Sequence, residues 1–458
     1  MFLSNGTRLT FEVLKNWLSF HASYGTLPGM QLCIRKRNAV VFNQAVGRAD
    51  QKSWDKLSTD HLFPLLDQSK MVTSCACFML QEEGFLSLSE PVSDYLPEIA
   101  GHWNRQARSI TIRDLLTHRS GFVRSGLDSS CWERQQPFPS TKELLHQASL
   151  ADIVYEPNTC SKYSDFGFAL LGLALSEAVR TPYKAFVRDN IFSKIRKNLI
   201  LPDYDETAKE PYAQIYSKLH LHGKPLRLNP VPVNTFAPAI GGYATAESAS
   251  AFFYEFLYGD KLISKQSQRE IKGTFWPALN SKDYWLGHGI EKTKIGEKEF
   301  LSHAGESSGF LTQSKVYEPN ELIVSLNTHA QQKPLPLIPE IMILIEKMNS
   351  VFSPSQEGSK ATISPPLLNV TSGSLFVLGY NYAVEVPLFT ETPGSDAAIL
   401  KKTEKGFISH DRAATYPVGE ATLFNRTSRG EILSVTQSGS RLIPLSAFFK
   451  RHAPLQNG

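Results

Sequence analysis

From Thr10 to His21 apolar side chains return every three or four positions, the spacing of an amphipathic helix. Two β-rich runs follow, Gly29 to Arg37 and Ala39 to Gly47, with the polar triplet Lys36-Arg37-Asn38 as a short turn between them. From Asp67 to about Phe192 the pattern becomes mostly helical, punctuated by Gly84, Gly121 and Thr181-Pro182. After a proline-rich crossing, Leu228 to Pro238, strand-like segments return at Trp285 to Glu291, Glu299 to His303 and Leu322 to Thr328, followed by a terminal helix, Leu337 to Met348. A sheet started by N-terminal strands, interrupted by a helical insertion and completed by C-terminal strands predicts a two-lobed α/β (α+β) body with a cleft between its lobes. We place the sheet lobe at 1–66 and 230–350, and the helical lobe at 67–229. The Ser, Pro, Gln and Gly of residues 353–359 mark a linker, taken as 351–365. Beyond it, 366–458 alternates short β-prone runs with turn residues, which predicts a small C-terminal all-β domain of barrel or sandwich type.

Composition narrows the class. The chain has 458 residues, 41% hydrophobic and 20% charged, enough for a large core and too much for one ordinary unit. A formal charge of +4, spread without clusters, predicts neither a nucleic-acid partner nor a membrane surface. The N-terminal residues lack a basic segment followed by an apolar run, so no secretory leader is expected. The longest apolar stretch, near Phe168 to Ala178, contains Gly172 and Glu177 and is too short to span a bilayer. Five cysteines without CxxC spacing predict neither a disulfide framework nor a zinc site and fit a reducing, cytoplasmic compartment. No dinucleotide, phosphate or metal motif is present in the sequence, so no cofactor is expected.

The chemistry concentrates in four blocks. Phe63-Pro64-Leu65-Leu66-Asp67-Gln68-Ser69-Lys70 opens a buried helix that ends at Glu83-Gly84, before Leu86-Ser87-Leu88-Ser89-Glu90-Pro91-Val92. Ile110 to Gly121 reads ITIRDLLTHRSG, a helix cap, a helix and a glycine stop. Tyr163-Ser164-Asp165 precedes another helix, and Ser302-His303-Ala304-Gly305 precedes Gly309-Phe310 and a hydrophobic strand. In this order the blocks resemble the serine β-lactamase and penicillin-binding-protein superfamily over roughly residues 10 to 350, including its class C-related, esterase and polyketide acyltransferase-like members. The resemblance implies a β-lactamase-like fold with an antiparallel sheet flanked by helices. It places Asp67 where the family has its serine nucleophile and Lys70 on the partner lysine. Ser69 does not substitute, because its own i+3 position is Val72. By the same resemblance Tyr163 is the acid or base near the lysine, Asp165 stands in place of an asparagine, and His303 belongs to the third motif in its histidine-x-glycine form. Asp67, Lys70, Tyr163 and His303 are thus the expected catalytic set, and Asp165, Ser302 and Gly305 the expected substrate contacts. Gly241-Gly242 fits a glycine-pair turn of structural role.

Residues i and i+3 share a helix face, so Asp67 and Lys70 should meet at the cleft. A carboxylate attacking a carbonyl gives a mixed anhydride and is a poor nucleophile toward unactivated esters and amides. It also keeps the lysine charged, which weakens it as a base. The preferred expectation is therefore a small-molecule enzyme of biosynthesis performing acid–base chemistry, with Asp67 moving a proton in a cyclisation, isomerisation or elimination. The alternatives are an esterase or acyl transferase acting on a natural-product ester or thioester, and a non-catalytic protein that binds a ligand or partner with Asp67 acting only as a helix N-cap.

Overall fold

The computed structural model describes residues 28–329 except 129, 133–135, 196–199, 222, 223, 280 and 308, with helical residues between 11 and 23, positions 338 and 341, and seven strands between 375 and 444. Eight strands form one antiparallel sheet: β1 (Gly29–Lys36), β2 (Ala39–Gly47), β3 (Phe275–Pro277), β4 (Tyr284–Gly287), β5 (Glu291–Ile295), β6 (Lys298–Ser307), β7 (Phe310–Tyr317) and β8 (Leu322–His329). Their spatial order is β2-β1-β8-β7-β6-β5-β4-β3, so the first strands of the chain pair with the last, Met30 opposite Thr328 and Lys36 opposite Leu322. Period-two alternation sorts the side chains. Met30, Leu32 and Ile34 face one way with Leu322, Val324 and Leu326, against Leu14 and Leu18 of the N-terminal helical residues and Ile338 and Ile341. Each such buried side chain is worth about 1.5–3 kcal/mol. The opposite face, with Leu301, Val316 and Ile323, joins the core of the helical lobe.

Two helices cross the middle of that core. In α1 (Ser69–Glu82) every residue from Ser69 to Leu80 is buried, which is why its sequence is apolar almost all round. The short α2 (Ile112–Leu116) starts at Thr111, whose hydroxyl accepts from the Asp114 N–H while the Asp114 carboxylate accepts from the Thr111 N–H, a reciprocal capping box where the sequence predicts a helix cap. The second central helix, α3 (Asp165–Val179), starts from a Ser164 cap. Gly172 of α3 lets Pro238 close in, since a Cβ there would lie 2.0 Å from the Pro238 Cγ. This contact presses residues 237–241 between α3 and α1. A fourth helix, α4 (Ala246–Leu257), lies on the sheet with Ser250 Oγ 3.3 Å from Cys33 Sγ.

Several expectations need correction. Trp285 to Glu291 is not one strand: the chain turns between β4 and β5, with Gly289 at φ +66°, and pairs the two as a hairpin. Sequence periodicity did not predict the hairpin Ile215–Leu221 with Lys224–Leu228, which lies inside the segment assigned to the helical lobe. The expected helix from Leu337 lies outside the described residues except for Ile338 and Ile341. The linker and the start of the last segment also lie outside them. Seven strands between Leu375 and Pro444 form an antiparallel sheet of their own. All five cysteines are free, four of them buried. Among the described residues no helix is long and apolar enough to cross a membrane.

Candidate active site

The segment leading into α1 is gripped on every side. Phe63-Pro64 pairs with Tyr243-Ala244, the Leu65 N–H donates to the Gly242 carbonyl at 2.6 Å, and the Thr312 hydroxyl of β7 donates to the Leu65 carbonyl at 3.0 Å. Leu66 is left-handed at φ 52°, a conformation costing an L-residue about 1–2 kcal/mol. Gly305 of β6 packs so near that a Cβ would come within 2.5 Å of the Leu66 Cβ and 2.7 Å of the Asp67 nitrogen. The close approach expected for a substrate at Gly305 is thus an approach to the chain's own backbone. The Ser69 hydroxyl is buried and accepts from the Gly242 N–H at 3.0 Å, a structural role.

Asp67 and Lys70 meet as their spacing predicts. Lys70 is wholly buried, and its Nζ donates to Asp67 Oδ1 at 2.8 Å, Asp165 Oδ1 at 2.6 Å and the Ala239 carbonyl at 3.2 Å. These three acceptors use all three ammonium protons. Burial draws the lysine pKa down, but the charges of Asp165 and then Asp67 outweigh it and leave the pKa raised. For Asp67, burial pushes the carboxyl up, and the Lys70 charge and hydrogen bond, His303 and the Tyr163 hydroxyl bring it down to about 2. The N-cap expectation for Asp67 is corrected: neither α1 nor the turn before it has a side-chain cap, and the carboxylate points to Lys70 and Tyr163 instead. Oδ1 takes both hydrogen bonds. Among the described residues Oδ2 has no hydrogen-bond partner, and the side chain keeps 18% of its exposure, so this oxygen is what the cleft presents.

Tyr163 sits across the cleft with its hydroxyl donating to Asp67 Oδ1 at 2.8 Å, 3.4 Å from His303 Nε2. Burial and the carboxylates of Asp67 and Asp165 push its pKa well above that of an ordinary phenol. The ring stacks on His118, centroids 4.2 Å apart and planes 23° from parallel, and His118 Nδ1 accepts from the Ser164 N–H at 3.1 Å. The ITIRDLLTHRSG block thus positions Tyr163 through His118, a contribution the sequence had not revealed. Asp165 also faces Arg124, 3.7 Å away. His303 Nδ1 lies 3.0 Å from the Gly289 carbonyl, so that nitrogen carries the proton of the neutral ring and Nε2 offers its lone pair to the cleft. Burial, with the Lys70 charge, lowers the His303 pKa to about 4.

The expectation that Ser302 contacts substrate is corrected. It alternates with His303 along β6, lies fully buried between Glu291 and Lys315, and its hydroxyl has no hydrogen-bond partner among the described residues. Two residues that sequence reasoning missed come close instead. Glu291 Oε1 is 3.9 Å from His303 Nε2 and accepts from the Tyr284 hydroxyl at 2.7 Å. Neither had a local signal, since a glutamate and a tyrosine on paired strands read as ordinary sheet residues.

A family model described as Beta-lactamase matches residues 20–337, more than half of the chain. Penicillin-binding protein 4* of Bacillus subtilis (strain 168) is 25% identical over 292 residues, covering 60% of this chain and 62% of that protein. Beta-lactamase-like protein 4 of Dictyostelium discoideum is 29% identical over 182 residues, 36% of this chain and 32% of that protein. The chain thus spans between a third and three fifths of these curated relatives. The crystal structure of D-amino acid amidase from Ochrobactrum anthropi SV3, complexed with L-phenylalanine, superposes with a TM-score of 0.64 at 18% identity, covering 77% of this chain and all of that one, a likeness of fold alone.

Proposed function

Since the chain belongs to the beta-lactamase family, we propose that it is an enzyme of that superfamily whose cleft has exchanged acyl transfer for proton transfer on a small molecule. One observation carries the reading: Lys70 and Tyr163, the groups that activate the family's serine, both donate to the same oxygen of Asp67. Asp67 is then a fixed anion. With its carboxyl at about 2 it is too weak a base to take a proton itself, a revision of the role expected from sequence. Its Oδ2 suits a cationic or strongly donating group on the ligand. Tyr163 is the proton donor: its high pKa matches a strongly basic acceptor such as an enolate or carbanion, the species formed in isomerisations, eliminations and cyclisations. Lys70 and Arg124, whose charged groups lie 4.7 and 5.6 Å from the Tyr163 ring centre, offset the negative charge that forms as the proton leaves.

A purely binding role is the second reading, supported by the closed charge balance of Lys70 and Arg124 with the carboxylates of Asp67 and Asp165. An ester- or amide-cleaving role has the least support, because Ser69 at the first turn of α1 is buried and accepts from the Gly242 N–H, and Lys70 is engaged by two carboxylates. The test has two arms. Incubation with a chromogenic cephalosporin and short-chain chromogenic esters should give no turnover and no mass adduct on wild type. Incubation with a panel of enolisable carbonyl compounds in D2O should give deuterium incorporation, Tyr163 as phenolate taking the α-proton and as phenol returning a deuteron, and Tyr163→Phe should abolish it. An acyl adduct on the wild-type chain, or ester turnover that Asp67→Asn removes, would overturn the proposal in favour of hydrolysis. Absence of exchange with ligand binding retained in Asp67→Asn would favour the binding role.

A further inference from the structure

Behind Tyr163 the titratable groups continue in a line. His303 Nε2 stands between the Tyr163 hydroxyl, 3.4 Å away, and Glu291 Oε1, 3.9 Å away, and the Tyr284 hydroxyl donates to that same oxygen at 2.7 Å. The Gly289 carbonyl holds the neutral ring's proton on Nδ1, leaving the Nε2 lone pair as the only ring acceptor for a proton from either neighbour. Glu291 is buried, as is His303.

We propose that Glu291 is the proton store of this cleft, acting through His303 to return a proton to Tyr163 after each transfer. The inference rests on Tyr163 as donor. The steps balance: Tyr163 gives its hydroxyl proton to the ligand and is left as phenolate; Glu291 in its acid form passes a proton to His303 Nε2 and becomes carboxylate; the imidazolium returns that proton from the same nitrogen to the phenolate. Net, one proton moves from Glu291 to the ligand, and solvent restores it. Glu291 touches no ligand, so it is a positioning residue for the proton and not a catalytic one.

The environment suits the task. Burial raises the Glu291 carboxyl, the Tyr284 hydroxyl lowers it, the Asp67 charge raises it again, and Lys315 and Lys70 lower it, with the balance at about 7. The charged and titratable groups facing it come from every neighbouring element: Tyr284 of β4, His303 of β6, Lys315 of β7, Asp67 and Lys70 at the start of α1, and Tyr163 before α3. Below about pH 7 Glu291 holds its proton, and above it the store is empty.

The test needs no substrate. In full-length chain labelled with 15N-histidine, the His303 ring signals, assigned through His303→Gln, should shift with a midpoint near pH 7 as Glu291 ionises beside them. Glu291→Gln should remove that step while the other eleven histidines keep their positions, which shows the variant is folded. Tyr284→Phe should move the midpoint upward, because its hydroxyl bond favours the anion. No step between about pH 5.5 and about 8.5 in wild type, a step that survives Glu291→Gln, or a midpoint unmoved in Tyr284→Phe would each overturn the assignment. Loss of the wild-type step leaves the proton-transfer reading of Tyr163 standing, whereas lack of deuterium exchange would sink that reading and leave the histidine titration unaffected.

Discussion

Placing a serine at position 67 should not by itself confer acyl transfer on this site. Asp67→Ser supplies a hydroxyl, but Asp165 still holds Lys70: its oxygen lies 2.6 Å from the ammonium, and both side chains are buried. Two unit charges that far apart attract by about 6 kcal/mol at an effective dielectric near 20. If only half of that favours the charged lysine, the neutral amine needed as a base is still roughly 100-fold scarcer than beside an uncharged partner. Asp165→Asn removes that charge while its amide oxygen can still accept from Lys70. We therefore expect Asp67→Ser to acylate slowly with a fluorescent penicillin or an activated ester, and Asp67→Ser/Asp165→Asn to acylate roughly 100-fold faster, by the same Coulomb argument. Asp165→Asn alone should give no adduct, for want of a nucleophile. Intact-mass spectrometry over a time course reads the rate directly. Equal rates for the single and double variants, within about threefold, would refute the claim that the second carboxylate governs Lys70.

Two further outcomes follow from the same geometry. The Asp67 carboxyl sits at about 2 against an ordinary 3.8, so the stability it contributes, on the order of 2 kcal/mol, is present above pH 3.8 and is lost as pH falls through about 2. Urea unfolding of wild type should therefore weaken by about that amount more than Asp67→Asn over this window, and parallel pH profiles would contradict the ion pairing. Gln68 is buried with neither amide atom hydrogen-bonded among the described residues, beside Leu65, Met71, Val72, Ile200, Ala249 and Phe252. Gln68→Met, nearly equal in volume, should raise the urea midpoint by the equivalent of about 1–3 kcal/mol, and a destabilised variant would show that the amide has a partner in solution.

The sequence carried the local relations well. The i, i+3 spacing brought Asp67 to Lys70, the Thr111–Asp114 box capped α2, and alternation in β1 and β8 separated the two faces of the sheet. It failed where contact depends on distant segments. Asp165 reaches Lys70 across 95 residues, and the Ala239 carbonyl reaches it across 169. His118 meets Tyr163 within the helical lobe, and Glu291 meets His303 across the paired strands β5 and β6, only because segments distant in the chain pack side by side. Ser302 and Gly305 were misjudged for the same reason: a motif names the strand, but the strand's facing partner decides what each side chain or bare Cα touches.

What the sequence determined by itself is the family, the succession of sheet, helical and sheet segments, and the pairing of a carboxylate with a lysine at the start of α1, because periodicity, caps and spacing are properties of neighbouring residues. What only the tertiary structure decided is what that carboxylate can do. Its protonation, the saturation of Lys70 and the line from Tyr163 to Glu291 all arise from charges and burial contributed by segments far apart in the chain, and electrostatic energy depends on distance through space and on exclusion of water, neither of which a linear pattern contains.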